Sequence, residues 1–257
     1  MIHLDNHIVK RTKKSVELEP ENCFRLYWDL ETTSRSRSRI VSIGYSSEDD
    51  TVAGELLIYP KVMIDECASE VHGYTLETLL KHGAKSCKEQ LQKFMDMILK
   101  IGKPVVMVAH NGKCFDTNVL RHELEINNIQ LAENIVGFVD TLHWLKYYCK
   151  YKIANIDHLL ITLLNKNARD LHGAKEDSIC LKDIVLHVLQ LRNEKRLAYF
   201  ESRDEFMVRT SKWLEEQEVF KDIQEEVIFF LESICEHTSI EETPSGRICT
   251  HCNIVLV

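Results

Sequence analysis

Asp29 and Glu31 stand two residues apart at the end of an apolar run, Phe24–Leu30, in the stretch FRLYWDLETT. Side chains alternate faces along a strand, so both carboxylates would project side by side. Two acids held that close repel each other unless a cation sits between them, and oxygen donors suit a hard divalent ion. A lone acid pair fits solvated surface equally well. Three more groups with useful chemistry occur further on. Asp116 closes the segment His110-Asn111-Gly112-Lys113-Cys114-Phe115-Asp116, just past the short apolar run 104–109. His172 and Asp177, in HGAKED, stand where a long apolar-rich segment begins. Alone, an aspartate in a first helical turn answers the helix dipole, and a histidine before a helix is usually surface. Together they put four carboxylates and one histidine at the ends of separate elements, a set whose acids could hold a divalent ion.

Positioning these groups requires regular elements at the right places. Phe24–Leu30, Ile40–Tyr45 and Gly54–Tyr59 read as three successive antiparallel strands. Residues 65–80 read as helical with an interruption at Val71-His72-Gly73-Tyr74. A second helix starts near Ser86, carries Leu91, Phe94, Met95, Ile98 and Leu99 on one face, and ends at Gly102 and Pro104. Pro104–Ala109 (PVVMVA) is the nearly unbroken apolar run of a strand buried on both faces. Asn111-Gly112 marks a turn, and a helix follows from about Cys114 to Asn127. Asp116 thus falls in a first helical turn beyond a buried strand, the sheet edge where α/β proteins form ligand sites. Asn134–Val139 is a further strand, and helices follow at Asp140, Asn155–Leu164 and Ala174–Leu191. Lys146, Lys150 and Lys152 alternate with Tyr147, Tyr148 and Tyr151, a pattern that serves either a core edge or a surface tracking a nucleic-acid strand.

With 44% hydrophobic and 28% charged residues, the 257-residue chain has the composition of an ordinary globular protein. It has no apolar run of membrane-spanning length and no apolar core for a secretory signal near its start, so no membrane partner is expected. Its nine cysteines then read as reduced thiols of an intracellular compartment, nucleus or cytoplasm. A formal charge of −8 argues against a general grip on duplex DNA, so any contact with nucleic acid has to be local.

The order of the motifs points further. A D-x-E on a first strand, an aspartate in HNG-x-x-(Tyr/Phe)-D, and H-x4-D opening a late helix resemble the DEDDh 3′–5′ exonucleases. WDLETT, VAHNGKCFDTNVLRHEL, FVDTLHWLK, HGAKED and VHGYTLETLLKHG are most similar to the three-prime repair exonuclease group, over roughly residues 24–191. The resemblance implies an α/β fold with a ribonuclease-H-like mixed sheet flanked by helices. It implies removal of nucleoside monophosphates from free 3′ ends, single-stranded DNA foremost, with two Mg2+ or Mn2+ ions. Asp29, Glu31, Asp116 and Asp177 would hold the ions, and His172 would be the general base. Gly173 would let its loop move. Thr32, Thr33, Gly73, Tyr74, His110, Asn111 and Phe115 would contact substrate, with Phe115 and Tyr74 standing where the group commonly has Tyr and Leu or Ile. The Ser34–Arg39 run is placed to meet the substrate backbone or to stay solvated. The alternative is a catalytically weak nuclease-like domain that binds nucleic acid or a protein. Close relatives pair through sheet edges, so a homodimer is a further expectation.

These readings divide the chain into an N-terminal arm (1–22), an exonuclease domain (23–191) and a helical C-terminal extension (192–257). The extension carries an apolar helical face from Trp213 to Ile234 and ends in Cys235, His237, Cys249 and Cys252. Those four suit a tetrahedral structural zinc serving stability or a protein partner, and they read equally as incidental thiols at a helix end and a last strand.

Overall fold

The computed structural model describes residues 17–35, 38–167 and 173–209, together with the backbone of three short strands nearer the C-terminus. Three strands come first: β1 (Phe24–Thr32), β2 (Ile40–Ser47) and β3 (Ala53–Tyr59), paired as an antiparallel meander. The two-residue β4 (Lys85–Ser86) lies parallel to β3. On the other side of β1, β5 (Val105–Ala109) and β6 (Ile135–Asp140) run parallel to it, and β7 (Phe200–Ser202) closes that edge antiparallel. The mixed seven-stranded sheet has the order β4-β3-β2-β1-β5-β6-β7. The three later strands, β8 (Ile240–Thr243), β9 (Gly246–Cys249) and β10 (Val255–Leu256), form a separate antiparallel sheet.

Helices cover both faces of the large sheet. In chain order they are α1 (Glu66–His72), α2 (Leu76–Lys81), α3 (Cys87–Lys100), α4 (Asp116–Ile126), α5 (Thr141–His143), α6 (Ile156–Leu164), α7 (Ala174–Arg192) and α8 (Arg203–Val208). A π-helical turn, Trp144–Tyr148, continues α5. The alternation along β1 sorts the two cores. Leu26, Trp28 and Leu30 pack with Phe94, Met95 and Ile98 of α3, Val119 and Leu120 of α4, and Phe206 of α8. Tyr27 points the other way, with Val106 and Val108, into Leu159 and Leu160 of α6 and Leu181, Ile184, Val185 and Val188 of α7. Each such side chain, fully withdrawn from water, contributes about 1.5–3 kcal/mol. The fully buried VVMVA strand is the consequence of helices on both sides.

The break expected at Val71–Tyr74 is a helix end. Gly73 takes φ 76°, and its N–H reaches the Ser69 carbonyl at 2.7 Å. Thr75 then opens α2 with a reciprocal cap to Thr78.

Both flanking segments reach into this sheet. Glu19 N–H bonds the Leu197 carbonyl at 2.9 Å, and the Glu19 carboxylate accepts the Leu197 N–H and pairs with Arg25 of β1. β7 and α8 lie beyond residue 191, where a three-residue strand is too short to leave a periodic signal. Among the described residues, no helix is long and apolar enough to cross a membrane, and the cysteines Cys23, Cys67, Cys87, Cys114, Cys149 and Cys180 are free thiols.

Candidate active site

Because Leu26, Trp28 and Leu30 face α3 and α4, Asp29 and Glu31 must face α7. Asp177 sits in the first turn of α7, and its N–H bonds the Gly173 carbonyl at 2.8 Å. One carboxylate oxygen each of Asp29, Glu31 and Asp177 lies within 4.8 Å of the other two. Glu31 and Asp177 are buried, and Asp29 is half-buried. Three acids at that separation in a partly dry site repel strongly, and an oxygen-only donor set of this kind fits Mg2+ or Mn2+.

A glycine makes the approach of α7 feasible. Gly44 on β2 is the register partner of Asp29. A Cβ on Gly44 would lie 1.9 Å from the Ala174 carbonyl carbon and 2.1 Å from the Lys175 nitrogen. The backbone of the first turn of α7 therefore rests directly on β2, and Asp177, three residues on, is delivered to the pair. The sequence reading passed over Gly44, although a glycine inside a strand is a signal for close backbone approach.

Asp116 comes from the opposite face. It is the first residue of α4, buried, and its carboxylate takes the backbone N–H of Leu30, the residue between Asp29 and Glu31. Burial pushes its pKa up to about 7, with the Asp140 charge adding to the rise and backbone hydrogen bonds opposing it. Asp29, Glu31 and Asp177 form the tight cluster, while Asp116 joins them through the main chain of β1.

Asp140 holds the loop that leads to Asp116. Its Oδ1 accepts the N–H groups of Asn111 (3.0 Å) and Leu142 (2.9 Å), and its Oδ2 accepts that of Lys113 (3.2 Å). Asn111 is left-handed at φ 60°, a tight turn that brings the amides of both Asn111 and Lys113 onto one carboxylate. Arg209, just past α8, grips the same loop. Its guanidinium donates to the Lys113 carbonyl at 2.7 Å and to the Thr117 hydroxyl at 2.8 Å, and its Nε stands 3.3 Å from Glu201. Lys113 Nζ reaches the same Glu201 oxygen at 3.0 Å. Asp140 lies in the FVDTLHWLK stretch, whose resemblance gave it no role, and Glu201 and Arg209 lie in no motif.

The expected substrate contacts are divided. Thr33 is buried, and its hydroxyl accepts the Arg39 N–H at 3.0 Å. Thr32 donates to the Ser34 carbonyl at 3.0 Å. His110 is half-buried, with Nδ1 at 3.0 Å from the Thr141 hydroxyl, and burial lowers its pKa. Asn111 is exposed and Phe115 half-buried at the start of α4. Tyr74 donates its hydroxyl to Glu55 at 2.9 Å; burial raises its pKa, with Glu55, Glu176 and Glu31 adding. Gly73 ends α1 beside it. His72, which the sequence reading did not select, braces this corner: Nδ1 accepts the Tyr74 N–H at 3.0 Å, and Nε2 donates to the Thr32 carbonyl at 3.2 Å.

Of the three arginines between Ser34 and Arg39, Arg39 turns inward to Glu123 of α4, at 2.6 Å and 3.2 Å, and Arg35 is exposed. His172, Arg37, Cys235, His237 and Cys252 lie outside the described residues, and Cys249 ends β9.

The mixed sheet flanked by helices, with acids at the ends of β1, α4 and α7, is a ribonuclease-H-like α/β architecture. Two solved structures share it: the zinc-bound E. coli ExoI–ssDNA complex (TM-score 0.53) and E. coli exonuclease I with a dA16 oligonucleotide (TM-score 0.52). Both are 14% identical to this chain and match 66% and 65% of it; the match spans 41% of each exonuclease I chain. A search of curated proteins finds no significant match. Residues 26–184 match the profile of the Exonuclease family (RNase_T), and the chain belongs to that family.

Proposed function

We propose that the chain is a metal-dependent 3′–5′ exonuclease that removes nucleoside monophosphates from the 3′ end of a single strand, DNA foremost. The observation that carries this reading is the convergence of Asp29, Glu31 and Asp177, from two elements far apart in sequence, within 4.8 Å. Family membership and the oligonucleotides bound by the two exonuclease I structures support it.

Asp29, Glu31 and Asp177, with Asp116 across β1, would hold two Mg2+ or Mn2+ ions. Such ions supply an activated water and neutralise the charge that builds on the phosphoryl group and the departing 3′-oxygen. The chain's own residues prepare the site. Gly44 lets α7 approach, and Asp140 and Arg209 fix the loop before Asp116. His172, one residue before Gly173, is placed in sequence to take the proton of the attacking water. Exposed Asn111 and half-buried Phe115 stand beside Asp116 to meet the terminal nucleotide. At the C-terminus, Cys249 pairs across from Ile240, which follows Cys235 and His237 by a few residues. A structural zinc on Cys235, His237, Cys249 and Cys252 is assigned on residue type and spacing, four donors that suit a tetrahedral ion.

The test is degradation of matched DNA and RNA oligonucleotides with Mg2+ or Mn2+ by wild type, Asp29→Asn and His172→Ala. Wild type should shorten strands from the 3′ end, and both variants should be inactive. A wild type that degrades neither strand, or variants indistinguishable from an active wild type, rejects the reading. Metal analysis of the purified chain should find one zinc that Cys249→Ser removes; a metal-free chain rejects the zinc site.

A further inference from the structure

We propose that His143, Tyr147 and Tyr199 form a stacking platform for the single strand whose 3′ end enters the acid cluster. This rests on the exonuclease reading. The three rings gather from two segments, with centroids 5.5 Å (His143–Tyr147), 6.0 Å (His143–Tyr199) and 6.4 Å (Tyr147–Tyr199) apart. Tyr199, like Tyr148 and Tyr151, packs against the edge of the core under α6 and α7, and Tyr147 is the ring that turns outward. Trp144 and Leu145 fill the core beneath, while Tyr147 is 50% exposed.

Two unusual backbone features create the cluster. Tyr147 lies in the π-helical turn, a geometry rare in proteins and frequent at functional sites. Tyr199 sits at φ 64°, a left-handed conformation that a bulky side chain seldom adopts. Without the π-turn or the left-handed residue, the rings would point elsewhere.

Charge selects the occupant. Lys146, Lys150 and Lys152 are exposed on the segment that carries Tyr147, and none has an acidic partner within salt-bridge distance among the described residues. Lys146 Nζ lies 6.0 Å from the Tyr147 ring centroid. In a chain of net charge −8, such a local basic segment next to a cluster of tilted rings suits a phosphate backbone with unstacked bases. Position fits as well. His143 Nδ1 stands 3.2 Å from Asp140 Oδ2, the carboxylate that also holds the loop before Asp116. One residue thus supports both the platform and the catalytic loop.

Binding in EDTA separates this from catalysis. Fluorescence anisotropy with the full chain would use labelled oligo-dT and oligo-U of about 16 nucleotides, a length that spans such a surface. On whichever strand wild type binds, Tyr147→Ala should weaken affinity about tenfold, the value of one lost stack, and Tyr147→Trp should retain it. Lys146→Glu, at an exposed position, should also weaken binding and covers the case in which Tyr147→Ala unfolds. Wild type that binds neither strand overturns the platform. So do Tyr147→Ala and Lys146→Glu variants that bind as wild type, or a Tyr147→Trp variant as weak as the alanine. Degradation of the same oligonucleotides by wild type with Mn2+ reports separately on the exonuclease reading.

Discussion

Gly44 and Ala174 are in direct backbone contact: the first turn of α7 rests on β2 at the residue opposite Asp29, where no side chain fits. Replacing Gly44 with alanine must push α7 away and carry Asp177 from Asp29 and Glu31. We expect Gly44→Ala to lose about 1–3 kcal/mol of stability through overpacking. It should also lose most of the stabilisation that Mn2+ confers on wild type. Thermal melts with and without Mn2+ read both effects. A variant with an unchanged metal-dependent shift would show that α7 accommodates the methyl without moving Asp177.

Asp116 links stability to pH. Its folded pKa of about 7 lies above the value near 4 of an unfolded aspartate. Between those values the folded chain binds more protons than the unfolded one, so its contribution is present below about pH 4 and lost as pH rises through about 7. Metal-free protein should therefore lose stability across that window, and Asp116→Asn should flatten the slope. Denaturant melts in EDTA at several pH values measure it. Equal slopes in wild type and Asp116→Asn would refute the assignment.

Arg39 and Glu123 form a pair whose two halves are unequally buried. The Glu123 side chain is 1% exposed and that of Arg39 25%. Among the described residues, Arg39→Ala leaves a buried carboxylate with Cys87, Asn127 and the Ile40 N–H as partners. Glu123→Ala leaves a guanidinium that can reach water. Arg39→Ala should cost about 3 kcal/mol and exceed Glu123→Ala. Urea unfolding would decide; the reverse order would contradict this burial argument.

Arg209 acts on the site through Lys113 and Thr117. Arg209→Ala should lower kcat about tenfold or more, because it loosens the loop that sets Asp116, and should raise KM as well, because the same loop carries Asn111 and Phe115. Arg209→Lys should recover only part of the rate, since an ammonium cannot reproduce the forked contact. Steady-state kinetics on a single-stranded oligonucleotide test this, and an unchanged kcat would remove Arg209 from the machinery.

The residues themselves settled a good deal. Short apolar, β-favouring runs marked β1, β2, β3 and β6, and an almost unbroken one marked β5, because burial on a sheet writes itself into such stretches. The spacing of Asp29 and Glu31 placed both on one face, and motif order named Asp116 and Asp177 before any coordinate. Long-range proximity lies outside such patterns. Nothing local says that Gly44 must meet Ala174, that Asp140 gathers the amides of Asn111 and Lys113, or that Arg39 turns from solvent to Glu123. Nor does a three-residue strand such as β7, or the left-handed Tyr199 beside it, leave a period to read. The sequence by itself determined the chemistry available, as residue types on defined elements. Tertiary structure alone decided which groups meet, because packing α7 onto β1 and β2, and α8 onto α4, brings together side chains that the chain keeps more than a hundred residues or nearly as many apart.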